Sequence, residues 1–114
     1  MDEVFIKDLC VNGIIGVYDA EREKTQRIVV NIRMFTQTKK AAKSDNIEDC
    51  IDYGKVAKNI QSLIENSAHF TVEALAEDIA NLCLKDTKIF KVIVKVEKPD
   101  IIENAASVGV QIER

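Results

Sequence analysis

The segment Lys88 to Pro99, KIFKVIVKVEKP, does most to limit what this chain can fold into. Its residues alternate with period two and are rich in β-branched types, which predicts a β-strand. Phe90, Val92, Val94 and Val96 fall on one face; Ile89, Lys91, Ile93, Lys95 and Glu97 fall on the other. Lys98 keeps the phase of the apolar face, and Pro99 closes the ladder behind it. A lysine in that phase either snorkels to water or sits in a pocket as a functional ammonium.

The other elements fall around this strand. Val4 to Val11 reads as a first strand, with a parity change that suggests a bulge near Lys7–Asp8. Asn12-Gly13 is a candidate turn, although Ile14, Ile15 and Val17 would let the strand run on. Asp19 to Gln26, DAEREKTQ, reads as a charged loop or helical turn. In Arg27–Thr36, Ile28, Val30, Ile32 and Met34 share one face of a second strand, which would pair with the first as a long hairpin. Ala41 and Ala42 suggest a short helical turn. Asp52 is a good N-cap for a helix carrying Val56, Ile60, Leu63 and Ile64 as a core stripe and ending at Asn66-Ser67. Thr71 caps a second helix that buries Val72, Leu75, Ala76, Ile79, Ala80 and Cys83, with Phe70 and Leu75 as a hydrophobic staple. Ser107 to Glu113 makes the last strand, with Val108, Val110 and Ile112 inward. The order β-β-α-α-β-β predicts an α+β fold: a four-stranded antiparallel sheet with two helices on one face. Its unpaired edges favour assembly with further copies.

The length of 114 residues points to a single domain over 1–114. A net charge of −3 with interleaved signs, few aromatics and no Trp argue against a nucleic-acid partner. The acidic, alternating start MDEVFIKDL is unlike a signal or transit peptide, and no apolar run reaches transmembrane length, so no membrane partner is expected. Cys10, Cys50 and Cys83 are widely spaced, which suggests reduced thiols and a cytoplasmic setting. His69 is the only histidine, and no Cys/His spacing makes a metal site, so neither metal nor cofactor is expected. The four glycines are isolated and form no phosphate loop.

Four polar residues stand at the ends of predicted elements: Glu21, Tyr53, Glu73 and Lys98. Each has a bland reading. Glu21 is one charge among several in a loop, Tyr53 an amphipathic ring at a helix start, Glu73 a partner for the helix dipole, and Lys98 a snorkelling side chain. The words around them decide. IGVYDAEREKTQ, SDNIEDCIDYGKVA, FTVEALAEDIA, VKVEKP and SVGVQIER follow one another over nearly the whole chain. In that order and spacing, the sequence resembles the dihydroneopterin aldolase family. Asp100 departs from the glycine that many members have after the Lys-Pro pair, and Thr71 replaces a residue that is often apolar.

The resemblance implies a T-fold, in which β-β-α-α-β-β units close into a ring-shaped tetramer with a continuous barrel, often stacked as an octamer. It implies retro-aldol cleavage of 7,8-dihydroneopterin in folate biosynthesis, with a pterin as the small-molecule partner and no metal or lysine Schiff base. Lys98, Tyr53 and Glu21 would be catalytic. Glu73, Val72, Glu21 and Tyr53 would bind substrate, Tyr53 being supplied across a subunit boundary. Epimerisation at C2′ is an implied side activity. Two alternatives stay open at this point: a dihydroneopterin triphosphate 2′-epimerase, and a non-catalytic pterin-binding oligomer.

Overall fold

The β2 strand, Gln26–Thr36, is the spine of the sheet because every second residue is apolar. Ile28, Val30, Ile32 and Met34 are fully buried. In the computed structural model, which describes residues 1–114, β2 lies between β1 (Asp2–Gly13) and β3 (Lys91–Lys98), and β4 (Val108–Glu113) pairs with β3. All three pairings are antiparallel. Val30 faces Val96, Ile32 faces Val94 and Met34 faces Val92, so the apolar phases of β2 and β3 coincide. Burying those six side chains removes on the order of 1.5–3 kcal/mol each of apolar hydration.

Two long helices, α3 (Tyr53–Asn66) and α4 (Val72–Leu84), cover that face. Val56, Ile60 and Ile64 of α3 and Leu75, Ala76, Ile79, Ala80 and Cys83 of α4 join the strand residues in one core. Burial pushes the Cys83 thiol up to about 11. Asp52 caps α3 by accepting from the Lys55 amide at 3.0 Å, and Thr71 caps α4 by accepting from the Ala74 amide at 3.1 Å. Two short helices, α1 (Asp19–Glu23) and α2 (Lys39–Ser44), occupy the segments read as helical turns. The opposite face of the sheet, with Phe5, Arg33 and Lys95, is open. Strands β1 and β4 are the sheet edges.

The expected bulge in β1 is present: the register with β2 shifts between Ile6 and Leu9. Asp8 takes φ +53°, a conformation open to Asp through local hydrogen bonding. Its amide donates to Asn31 Oδ1 at 2.9 Å, and Asn31 Nδ2 donates to Asp8 Oδ1 at 3.2 Å.

Of the two readings of the first strand, the one that ends it at Asn12-Gly13 holds: β1 ends at Gly13, Ile15 enters the core and Gly16 turns the chain. Two details differ from the sequence reading. β3 starts at Lys91, not Lys88, because a turn links the Ile89 amide to the Asp86 carbonyl at 3.0 Å. That turn reverses the expected facing: Ile89 is buried and Phe90 is exposed. Phe70 is also exposed and lies outside the core, so it is no staple for Leu75; the Arg22 guanidinium covers its ring instead.

At Gly109, opposite Glu97 in the β3–β4 ladder, a Cβ would collide with the Val96 carbonyl oxygen and the Glu97 Cα. Gly109→Ala must push β4 off β3 and is expected to cost about 2 kcal/mol. Thermal unfolding then shows a Tm lower by roughly 5–10 °C. An unchanged Tm contradicts the close strand approach.

Candidate active site

Lys98 is the last residue of β3 and keeps the core phase of Val92, Val94 and Val96. Its side chain does not snorkel. It is only 14% exposed, and Nζ donates to Glu21 Oε2 at 2.7 Å. Glu21, on α1, is 9% exposed. The ion pair therefore lies at the rim of the core, not on the surface. The Lys98 hydrogen bond is the main cause holding the Glu21 carboxyl below its usual range. Burial opposes it, and a hydrogen bond from Gln26 adds to it.

The backbone around Glu21 is shaped for this carboxylate. Gln26 Nε2 donates to Glu21 Oε2 at 3.1 Å and to the Ile15 carbonyl at 2.9 Å, tying the start of β2 to the turn after β1. In that turn Gly16 takes φ +121°. A Cβ on Gly16 would occupy the position of the Glu21 carboxylate, so both the conformation and the close approach require glycine.

Lys98 opens onto a cleft of about 370 Å³ lined by Thr71, Val72, Glu73, Val108, Gly109 and Val110. That size suits a small organic ligand. Val72 and Glu73 form the first turn of α4, where backbone N–H groups lack intrahelical partners. The cleft runs along β4, an edge of the sheet. A larger groove, about 600 Å³, lies between α3 and the α4–β3 turn, but none of the four singled-out residues lines it. The smaller cleft is the candidate because charged groups converge there.

The fold thus brings together Glu21 and Lys98, and places Val72 and Glu73 across the same cleft. It does not bring Tyr53 there. Tyr53 opens α3, is 63% exposed and lines none of this cleft. No three His, Cys, Asp or Glu side chains gather in a metal-binding arrangement. Sequence reasoning passed over Gln26 and Arg22. Gln26 carried a readable signal, since it shares the core-facing parity of Ile28 and Val30 on β2, as Lys98 does on β3. Arg22 carried none, because its partners are backbone carbonyls, two of them more than forty residues away.

Comparison with known proteins agrees with this geometry. The family profile "FolB: Dihydroneopterin aldolase" matches residues 4–113. The dihydroneopterin aldolase of Escherichia coli is 42% identical over 114 residues, spanning 100% of this chain and 93% of that protein. A folic acid synthesis protein of Dictyostelium discoideum is 40% identical over 114 residues; the chain spans only 17% of that longer protein. The crystal structure of E. coli dihydroneopterin aldolase in complex with neopterin superposes with a TM-score of 0.96 at 42% identity, covering 100% of this chain and 99% of that one. By a match along nearly its whole length, in a fold that sets Lys98 against Glu21 beside Glu73, the chain belongs to the dihydroneopterin aldolase family.

Proposed function

We propose that this aldolase converts 7,8-dihydroneopterin into 6-hydroxymethyl-7,8-dihydropterin and glycolaldehyde, with Lys98, Glu21 and Tyr53 serving proton transfer and Glu73 holding the pterin. The observation that carries the reading is the part-buried Lys98–Glu21 pair, whose lysine lines the same cleft as Glu73. The E. coli relative's complex with neopterin supports a pterin as the ligand class.

The substrate supplies its own electron sink. As the 2′-hydroxyl loses its proton, the C1′–C2′ bond breaks and its electrons pass through C6 onto N5, which takes a proton. Glycolaldehyde leaves. The resulting enol is protonated at C1′, N5 gives up its proton, and the C6=N5 bond returns. The protein has only to bind the pterin and move protons, which is general acid–base work. Lys98 lies beside N5 and the side-chain hydroxyls, with Glu21 fixing its ammonium. The Glu73 carboxylate accepts two hydrogen bonds from the amino-pyrimidinone edge, a flat donor pair that suits it. Val72 contributes a free backbone N–H and an apolar flank at the start of α4. Re-addition to the other face of glycolaldehyde before it departs gives epimerisation at C2′ as a side activity.

Tyr53 enters from a neighbouring copy and delivers the proton to C1′. Two features support this: its exposure away from the cleft, and the cleft's position along an edge strand. Copies joined β4 to β1 close a ring that leaves no edge, as a tetramer or two stacked rings. Three free cysteines fit a cytoplasmic setting.

The decisive measurement is glycolaldehyde release from 7,8-dihydroneopterin without added metal; its absence ends the reading. Lys98→Ala is expected to lower kcat by about 10³-fold, with pterin affinity changed by only a small factor. Full turnover in that variant removes Lys98 from the chemistry. Glu73→Ala is expected to weaken pterin binding by on the order of 100-fold, the loss of two charge-assisted hydrogen bonds; wild-type affinity contradicts the anchor. Inactive Tyr53→Ala and Lys98→Ala proteins, unfolded and reassembled together, are expected to recover about a quarter of wild-type activity if each site takes one residue from each of two copies. No recovery places both residues in one chain.

A further inference from the structure

We propose that Arg22 is a positioning residue for this reaction: its guanidinium ties the Gly16 turn to the Ala68–Phe70 turn and thereby holds Glu21 against Lys98. The proposal rests on the aldolase reading only where turnover is measured.

Arg22 Nη1 donates to the Gly16 carbonyl and to the His69 carbonyl, each at 3.0 Å, and Nη2 donates to the Ala68 carbonyl at 2.8 Å. The Phe70 ring lies under the guanidinium, 4.1 Å from Cζ to its centroid. The Gly16 amide donates to the same His69 carbonyl at 3.2 Å. Arg22 thus joins two turns, and each turn leads to part of the site. The Gly16 turn is the one shaped around the Glu21 carboxylate. The Ala68–Phe70 turn runs directly into the Thr71 cap and then Val72 and Glu73. That second turn is itself anchored, because His69 Nε2 lies 2.6 Å from Asp78 Oδ2 on α4.

Helix α1 depends on such a tie. It has five residues, no side-chain cap bond at Tyr18 and no buried residue. A helix that short has no stability of its own, so tertiary contacts set its orientation. Arg22 supplies three hydrogen bonds and a ring contact from the position next to Glu21. Its planar fork is suited to this in a way that an ammonium is not: three carbonyl oxygens in different directions need several fixed N–H vectors. Without Arg22, Glu21 loses the platform that fixes its bonds to Lys98 and Gln26, and both contacts loosen. Displacing such a group by ~1 Å costs on the order of 100-fold in rate. Val72 and Glu73 are held independently by the Thr71 cap and the His69–Asp78 contact, so binding suffers less than turnover.

The test compares wild type, Arg22→Lys and Arg22→Ala as full-length, assembled proteins. For each, kcat and KM with 7,8-dihydroneopterin are measured, and the Glu21 side-chain carboxyl is followed by carbon-13 NMR against pH. Arg22→Ala is expected to lower kcat by about 10- to 100-fold with KM within about threefold. Its Glu21 carboxyl is expected to titrate closer to the usual glutamate range, because a looser Lys98 contact holds it down less. Millimolar methylguanidinium is expected to restore part of the lost kcat. Arg22→Lys moves kcat and the Glu21 titration in the same direction and decides the matter if Arg22→Ala does not fold. Wild-type kcat and wild-type Glu21 titration in Arg22→Lys, or a kcat loss with no movement of Glu21, overturns the proposal. If wild type itself releases no glycolaldehyde, the functional reading fails while the Glu21 titration still decides the positioning role.

Discussion

One ion pair, Lys98 to Glu21, joins the end of β3 to a helix 77 positions earlier in the chain. Both side chains are part-buried and largely withdrawn from water, so each is the other's main charge partner. Removing one leaves the other partly desolvated and without its partner charge. The sign of its pH dependence follows from Glu21. Its carboxyl is held below the ordinary value of 4.5, so the stabilisation it contributes is complete above that value and is lost as pH falls through the lower folded value. Across neutral pH, Glu21 is therefore a fixed anion beside the Lys98 ammonium. An anion so placed suits the work assigned to it, which is to aim an ammonium.

The sheet makes that pair possible through register. Apolar residues in matching phase on β2 and β3 fill the layer under the helices, and both strands end that layer with a polar side chain in the same phase: Gln26 on one, Lys98 on the other. The two side chains meet on a single Glu21 oxygen. The core therefore does more than stabilise. It sets where its own pattern stops, and the proposed site lies at that stop. Edge strand β4 leaves the same region unfinished on one side, which is why the reading of the chemistry extends to a second copy.

Much of this was legible in the sequence. Period-two alternation located β2, β3 and β4, and parity changes located the Asp8 bulge. Asp52 and Thr71 announced their helices through capping chemistry. Lys98 announced itself by being out of character in phase. What was not legible depends on turn geometry and on contacts between distant segments. The exposure of Phe90 followed from a turn at Asp86–Ile89, which no alternation rule detects. Phe70 followed helix-capping logic toward a staple, but a guanidinium from α1 outcompeted the core for its ring. Glu21 read as one loop charge among several, because nothing local shows that a lysine 77 residues away will close on it.

Asp100 ties the loop after Lys98 to the sheet. Arg27 Nη2 and Nε donate to the two Asp100 carboxylate oxygens at 3.2 and 3.3 Å, joining the start of β2 to the residue after Pro99. Both side chains are at least half exposed, so the pair adds little to stability. Its effect is on geometry. A glycine at this position leaves the loop after Lys98 free to choose its path, whereas Asp100 fastens it to the strand that also carries Gln26. Residues flanking both ends of the site are thus tied to β2: Gln26 reaches Glu21 from its first position, and Arg27 holds the loop beyond Lys98 from its second. A carboxylate in place of a glycine changes nothing in the ion pair itself, but it constrains the chain on the far side of the lysine on which that pair depends.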